Sequence, residues 1–286
     1  MKISVSSYSF SQYIKAGKMT QLDAVSKAAE LGFDGIEFTD LISSKASLEE
    51  QLEYARQIRA EAKRCGIEVV AYLVGADLYG GGDAEVERLC GQLDVAKELG
   101  ASMMRHDVCY KEKQPDGRVV SFDRMIPTIA ENTRRVTEYA EKLGIRTMSE
   151  NHGFVAQDSD RVEKLYNTVA ADNYGILIDV GNFACADEDS SLAVSRLAPY
   201  AMHVHAKDFH FYPYGTEPKE EKGIIVTRGC NKIVGCAIGD GDVPVARCLD
   251  ILKRAGYDGY VTVEFEGNGD CIDEISRGLE FLKAHI

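Results

Sequence analysis

Along this chain, short runs rich in apolar and β-branched residues alternate with longer segments whose apolar positions follow a helical spacing. The runs are ISVSSY (3–8), GIEFTD (35–40), IEVVAYLV (67–74), SMMRHD (102–107), IRTMSE (145–150), GILIDV (175–180), AMHVHAKD (201–208) and GYVTVEFE (259–266). Runs of this length bounded by turn residues predict strands. Between them, segments such as MTQLDAVSKAAELG, SLEEQLEYARQIRAEAKRCG, AEVERLCGQLDVAKELG and MIPTIAENTRRVTEYAEKLG repeat apolar residues along one side of a helix. Gly32, Gly66, Gly100, Gly144 and Gly256 stand where a helix would stop before the next strand.

Eight strands alternating with helices predict a parallel sheet closed into a (β/α)8 TIM barrel, α/β in class, over a single domain spanning residues 1–286. An open doubly wound sheet is the alternative. It would bring a glycine-rich phosphate turn after the first strand, where this chain reads SYSFSQYIKAGK. The longest stretch without a pattern is 209–242, expected as a long active-site loop.

Composition narrows the function classes. A formal net charge of −13 repels phosphate backbones, so no nucleic-acid partner is expected. The start, MKISVSSYSF, is too polar for a signal peptide, and no apolar run approaches the roughly 18 residues of a membrane span. The eight cysteines form no CxxC pair and read as reduced, core-filling thiols. A cytoplasmic protein with no membrane partner, and with scope for a homo-oligomer, is the expectation.

The C-terminal ends of barrel strands carry the chemistry of this fold class. Here the fifth run ends in Glu150, followed by Asn151 and His152. The sixth carries Asp179 and then Asn182, the seventh His203, His205, Lys207 and Asp208, and the eighth Glu264 and Glu266. Strand alternation puts His203, His205 and Lys207 on one face, and Glu264 with Glu266 on another. A lone acid at a strand end is ordinarily a helix cap or ion-pair partner, and a lone strand histidine an ordinary core residue. Three carboxylates and an imidazole from four consecutive strands are different: unpaired they would repel, and a divalent cation removes that cost.

The order SENHG (149–153), LIDVGN (177–182), HVHAKD (203–208) and GYDGYVTVEFEG (256–267) closely resembles the xylose isomerase-like barrel superfamily, in particular its sugar phosphate isomerase/epimerase branch, over essentially the whole chain. The resemblance implies one divalent ion (Mn²⁺ first, with Mg²⁺, Co²⁺ or Zn²⁺ as alternatives) held by Glu150, Asp179, His205 and Glu264. It also implies that Glu150 and Glu264 act as the acid/base pair on a small sugar, through an enediolate. The chain departs from the ketose 3-epimerases at Asn182, where they carry His, and at Phe211, where they carry Arg. The expected activity is therefore sugar isomerisation or epimerisation. The alternative is a lyase on an oxidised sugar or cyclitol, like the inosose dehydratases or the C-glycoside-cleaving relatives, with His152 as a separate acid or base. Nuclease relatives need extra histidines, and this chain has six in all. A degenerate, purely binding barrel is disfavoured by the intact ligand set. Lys207, Arg228, His106, Glu37 and Asn182 are the expected substrate-binding residues. The aromatics Phe209, His210, Phe211, Tyr212 and Tyr214, the charged EPKEEK (217–222) and the glycines that follow suggest a lid over 209–242, in which Arg228 grips substrate.

Overall fold

The computed structural model describes residues 1–286 except 43–45, 113–116 and 220–221. Its strands are β1 (Lys2–Ser6), β2 (Gly35–Thr39), β3 (Glu68–Val74), β4 (Met103–His106), β5 (Arg146–Glu150), β6 (Tyr174–Asp179), β7 (Ala201–Ala206), β8 (Asp208–Tyr212), β9 (Ile224–Val226), β10 (Lys232–Cys236) and β11 (Tyr260–Val263). The barrel closes in the order β1-β11-β7-β6-β5-β4-β3-β2, and every pair is parallel. Closure follows from the alternation: each strand buries both faces, one inside the barrel and one under the helices.

Local signals place the helices. Thr20 and Ser47 each form a capping box with the residue three positions on, opening the helices Gln21–Leu31 and Leu48–Cys65. Gly32, Gly66, Gly100 and Gly144 close four helices in the left-handed conformation, while Gly256 sits one residue past the cap of Val245–Arg254. Inside the barrel, Val70, Ala71, Leu73, Met148, Leu177 and Met202 form an apolar cluster separate from the large one that packs helices onto strands. Met148 and Leu177 lie two residues before Glu150 and Asp179 on the same faces, so this apolar layer lies under a polar one. Among the described residues, no helix is long and apolar enough to cross a membrane.

One expectation changes here. The segment 209–242 is not an irregular loop: with Asp208 it supplies β8, β9 and β10, an antiparallel sheet in the order β8-β10-β9. The sequence hides this because glycines interrupt the pattern along short strands. This small sheet is the hood. Asp208, the first residue of β8, accepts backbone N–H groups from Gly239, Gly241 and Val243 at 2.9, 3.1 and 3.0 Å, which ties the end of the segment to its beginning. A side chain at Gly235 would collide with the Glu266 carbonyl, so only glycine lets β10 pack against the turn after β11. Two residues of the EPKEEK patch, 220 and 221, lie outside the described residues.

Candidate metal centre

Strand register sets four polar side chains at one height. Asp179 on β6 is opposite His205 on β7, His205 is opposite Thr262 on β11, and Glu264 follows two residues later with its N–H donating to the Ala206 carbonyl at 3.0 Å. Glu150 ends β5 beside Leu177. Glu150, Asp179, His205 and Glu264 are all buried, and each offers a ligand atom within 4.8 Å of the others.

Two of those atoms, Asp179 Oδ2 and His205 Nδ1, are buried without a hydrogen bond among the described residues, with only the Lys207 ammonium at 3.3 Å from the first and carboxylates at 3.4 to 4.0 Å from the second. Buried polar atoms are ordinarily satisfied, so an orphaned carboxylate oxygen facing an orphaned imidazole nitrogen calls for a missing partner. Charge points the same way. Glu37, Asp107, Glu150, Asp179, Glu264 and Glu266 meet only Arg105 and Lys207 as fixed cations among the described residues nearby. Burial pushes the Asp179 carboxyl up to about 6, with Glu264 and Glu150 adding to the rise and Lys207 opposing it. Burial would also raise Glu264, but Lys207 and His205 outweigh it and hold that carboxyl well below its usual range. Three carboxylates and one imidazole converging on orphaned atoms fit a hard divalent cation.

The surroundings hold this set in place. Asp179 Oδ1 accepts the N–H groups of Gly181 and Asn182 at 2.8 and 3.0 Å, turning Oδ2 toward the cluster. Asn151 exchanges two 2.9 Å hydrogen bonds with the Asp179 backbone and locks β5 to β6. The Asn182 amide donates to Glu150 Oε1 at 3.0 Å and accepts from Lys207 Nζ at 3.3 Å. Lys207 Nζ also lies 2.7 Å from Glu264, 3.3 Å from Asp179 and 3.4 Å from Glu266. His152 sits at the rim, with its side chain two-fifths exposed and Nδ1 2.9 Å from Asp107 Oδ1. Burial opposes charge on that imidazole, but Asp107 outweighs it and raises the His152 pKa.

Three of the expected substrate-binding residues are engaged with other protein groups. His106 is fully buried, its Nδ1 3.0 Å from the Asp107 carbonyl and its ring stacked 6.4 Å from Tyr174. The neighbouring Arg105 faces the site, 2.9 Å from Glu150, so alternation turns His106 toward the helices. Glu37 lies inside the barrel, but its two oxygens are each 2.8 Å from an imidazole, His203 Nε2 and His205 Nε2. Arg228 is partly exposed and already paired. It reaches Asp158 at 2.8 Å and the Phe154 carbonyl at 3.0 Å, pinning the hood to the loop after β5.

The family model described as the xylose isomerase-like TIM barrel matches residues 25–285. The chain belongs to that family. Among curated relatives, an inosose dehydratase of Clostridium perfringens is 26% identical over 191 residues, which are 66% of this chain and 64% of that protein. This match spans just under two thirds of the relative's length. Two solved structures share the family fold. The probable 3-DHS dehydratase AsbF of Bacillus anthracis has a TM-score of 0.75, 17% identity and 99% coverage of both chains. A D-allulose 3-epimerase from Methylomonas sp. has a TM-score of 0.73 and 18% identity, covering 100% of this chain and 98% of its own.

Within this xylose isomerase-like barrel, sequence reasoning passed over Arg105, Asp107 and Tyr8. Arg105 bridges Glu150 at 2.9 Å and Asp107 at 3.3 Å. Asp107 also accepts from the Tyr110 hydroxyl at 2.9 Å, and its carboxyl is held far below the usual range, Arg105 and His152 outweighing burial. Tyr8, in the turn after β1, donates to Glu266 at 2.9 Å. A buried acid at the end of β5 needs a cation, which points to the run SMMRHD, but parity alone does not choose between Arg105 and His106. A cleft of about 700 Å³ opens on the same C-terminal rim, between the loops after β2 and β3, lined by residues such as Asp40, Arg88, Gln92 and Tyr110. It includes none of the four ligand residues, and the chemistry stays with the polar ring.

Proposed function

We propose that this chain is a divalent-metal-dependent dehydratase of a keto-sugar or keto-cyclitol. The observation that carries the reading is His152. It stands beside Glu150, is oriented by Asp107, and lies outside the ligand set, so the site offers an acid or base independent of the ligands.

Glu150, Asp179, His205 and Glu264 would hold the ion. Manganese is the expected metal for three carboxylates and one imidazole. When bound, the ion polarises a substrate carbonyl and makes the neighbouring C–H acidic. Glu150 or Glu264 accepts that proton. The electron pair left on carbon forms the new C=C bond as the β-hydroxyl departs. His152, with Nδ1 on Asp107, gives that hydroxyl a proton through Nε2, so one water leaves and nothing is oxidised or reduced. Lys207, reaching Asn182 and Glu266, is positioned to hold a substrate hydroxyl, and Asn182 keeps Glu150 oriented. The inosose dehydratase relatives support this reading.

Sugar isomerisation or epimerisation is the second reading. It is favoured by one feature, the pair of carboxylates Glu150 and Glu264 on the same ion site. Metal-loaded enzyme incubated in D₂O with a panel of keto-cyclitols, keto-sugars and free ketoses separates the two. Loss of water from a keto substrate, read by mass spectrometry, supports the dehydratase. Deuterium incorporation with no mass lost as water, on free ketoses alone, overturns it in favour of the epimerase.

A further inference from the structure

The proposed metal reading leaves Glu37 and His203 without a task, although both are completely buried in the barrel interior. Their geometry is specific. Glu37 comes from β2, across the barrel from β7. Its Oε2 lies 2.8 Å from His203 Nε2 and its Oε1 2.8 Å from His205 Nε2. The two imidazoles, two residues apart on β7, stand edge to face with ring centres 5.5 Å apart. Thr262 Oγ1 lies 2.9 Å from His203 Nε2 and 2.6 Å from Ser4 Oγ, which steadies the pair from β11 and β1. On its other side, His205 turns Nδ1 toward Glu264 at 3.4 Å, Glu150 at 3.8 Å and Asp179 at 4.0 Å.

We infer that Glu37 is a positioning residue for the metal centre: one carboxylate fastens both β7 imidazoles, fixing the ring of His205 so that Nδ1 presents its lone pair to the ligand set. The inference rests on the metal reading and deepens it. An imidazole that ligates through one nitrogen is ordinarily held through the other by a carboxylate, which sets both tautomer and ring angle. Glu37 suits that task better than substrate binding, because each oxygen lies 2.8 Å from an imidazole nitrogen and the side chain has no exposed surface. His203 occupies the oxygen that His205 leaves and keeps the carboxylate from rotating.

The experiment compares wild type, Glu37→Gln and Glu37→Asp, titrated with Mn²⁺ against a fluorescent chelator and with Co²⁺ followed by its visible absorption bands. Glu37→Gln keeps the shape but gives one imidazole an amide donor in place of an acceptor. We expect Mn²⁺ affinity to fall about ten- to a hundred-fold and the Co²⁺ bands to shift. The shorter carboxylate of Glu37→Asp should give an intermediate loss. Wild-type affinity and wild-type Co²⁺ bands in the Gln variant would overturn the inference while leaving the metal reading intact. A wild type that binds neither ion would instead remove the metal reading itself. Should Glu37→Gln fail to fold, the Asp variant decides alone: unchanged affinity and bands overturn the role, and weaker binding with shifted bands upholds it.

Discussion

The polar ring at the ends of β5, β6, β7 and β11 and the hood formed by β8, β9 and β10 sit on the same rim, yet they are built on different principles. In the ring, each side chain takes its place from strand parity and register, and its acids have too few cations: Asp179 Oδ2 and His205 Nδ1 remain without hydrogen-bond partners among the described residues. Where the hood is fastened, by Asp187 after β6 and by Asp208, polar groups are paired. Asp187 accepts from Thr227 Oγ1 at 2.7 Å, the Gly229 N–H at 2.5 Å and the Asn231 amide at 2.7 Å, and Asp208 gathers the returning chain. Crowded acidic charge is thus concentrated in the region that would do chemistry, while the cover is a fastened structure.

Breaking the ring should have the largest effect. Glu264→Gln keeps an oxygen donor but removes the carboxylate's basicity, and turnover on the true substrate should fall by about a hundred- to ten-thousand-fold, checked by steady-state kinetics. A variant within a few-fold of wild type would strip Glu264 of its acid–base role. His152→Asn comes next. Loss of water should slow by roughly a hundredfold, while exchange of the α-proton with D₂O persists, because that proton belongs to the carboxylates. Equal loss of both steps would place His152 in substrate binding.

Changes in the hood should be milder and should leave metal content unaltered. Asp187→Ala strips three donors of their acceptor. It should cost about 1–3 kcal/mol and speed hydrogen exchange at 224–236, read by mass spectrometry. Unchanged exchange there would mean that Asp187 is not the fastening. Arg228→Ala should have the smallest effect, a loss of ~0.2–1 kcal/mol for a partly exposed ion pair, with kcat and KM near wild type. A large rise in KM would return Arg228 to the substrate-gripping role that its sequence position suggests.

The same contrast explains what could be read from the sequence. Glu150 and Asp179 end apolar runs whose period is two, and His205 and Glu264 follow the same alternation, so their side of the barrel is legible without coordinates. The run SMMRHD shows the limit of that reading. Arg105 and His106 both sit at a strand end, and only the pairing of Arg105 with Met148 of β5 decides which one faces Glu150. His106 looked the more chemical residue and faces the helices. Glu37 was picked out as functional, but its partner His203 on β7 lies 166 residues away, and local pattern carries no trace of that pairing. The hood was read as loop for a related reason. Its strands are short, and its glycines are dictated by the close approach of Gly235 to Glu266, a tertiary fact.

The central claim is that the orphaned atoms of the ring mark one cation site. Elemental analysis of wild type and His205→Ala after Mn²⁺ loading and gel filtration tests it directly. The account predicts about one manganese per chain in the wild type and a substoichiometric amount in the variant, which loses a ligand without losing any acidic charge. Equal metal in both proteins, or none in the wild type, would contradict it.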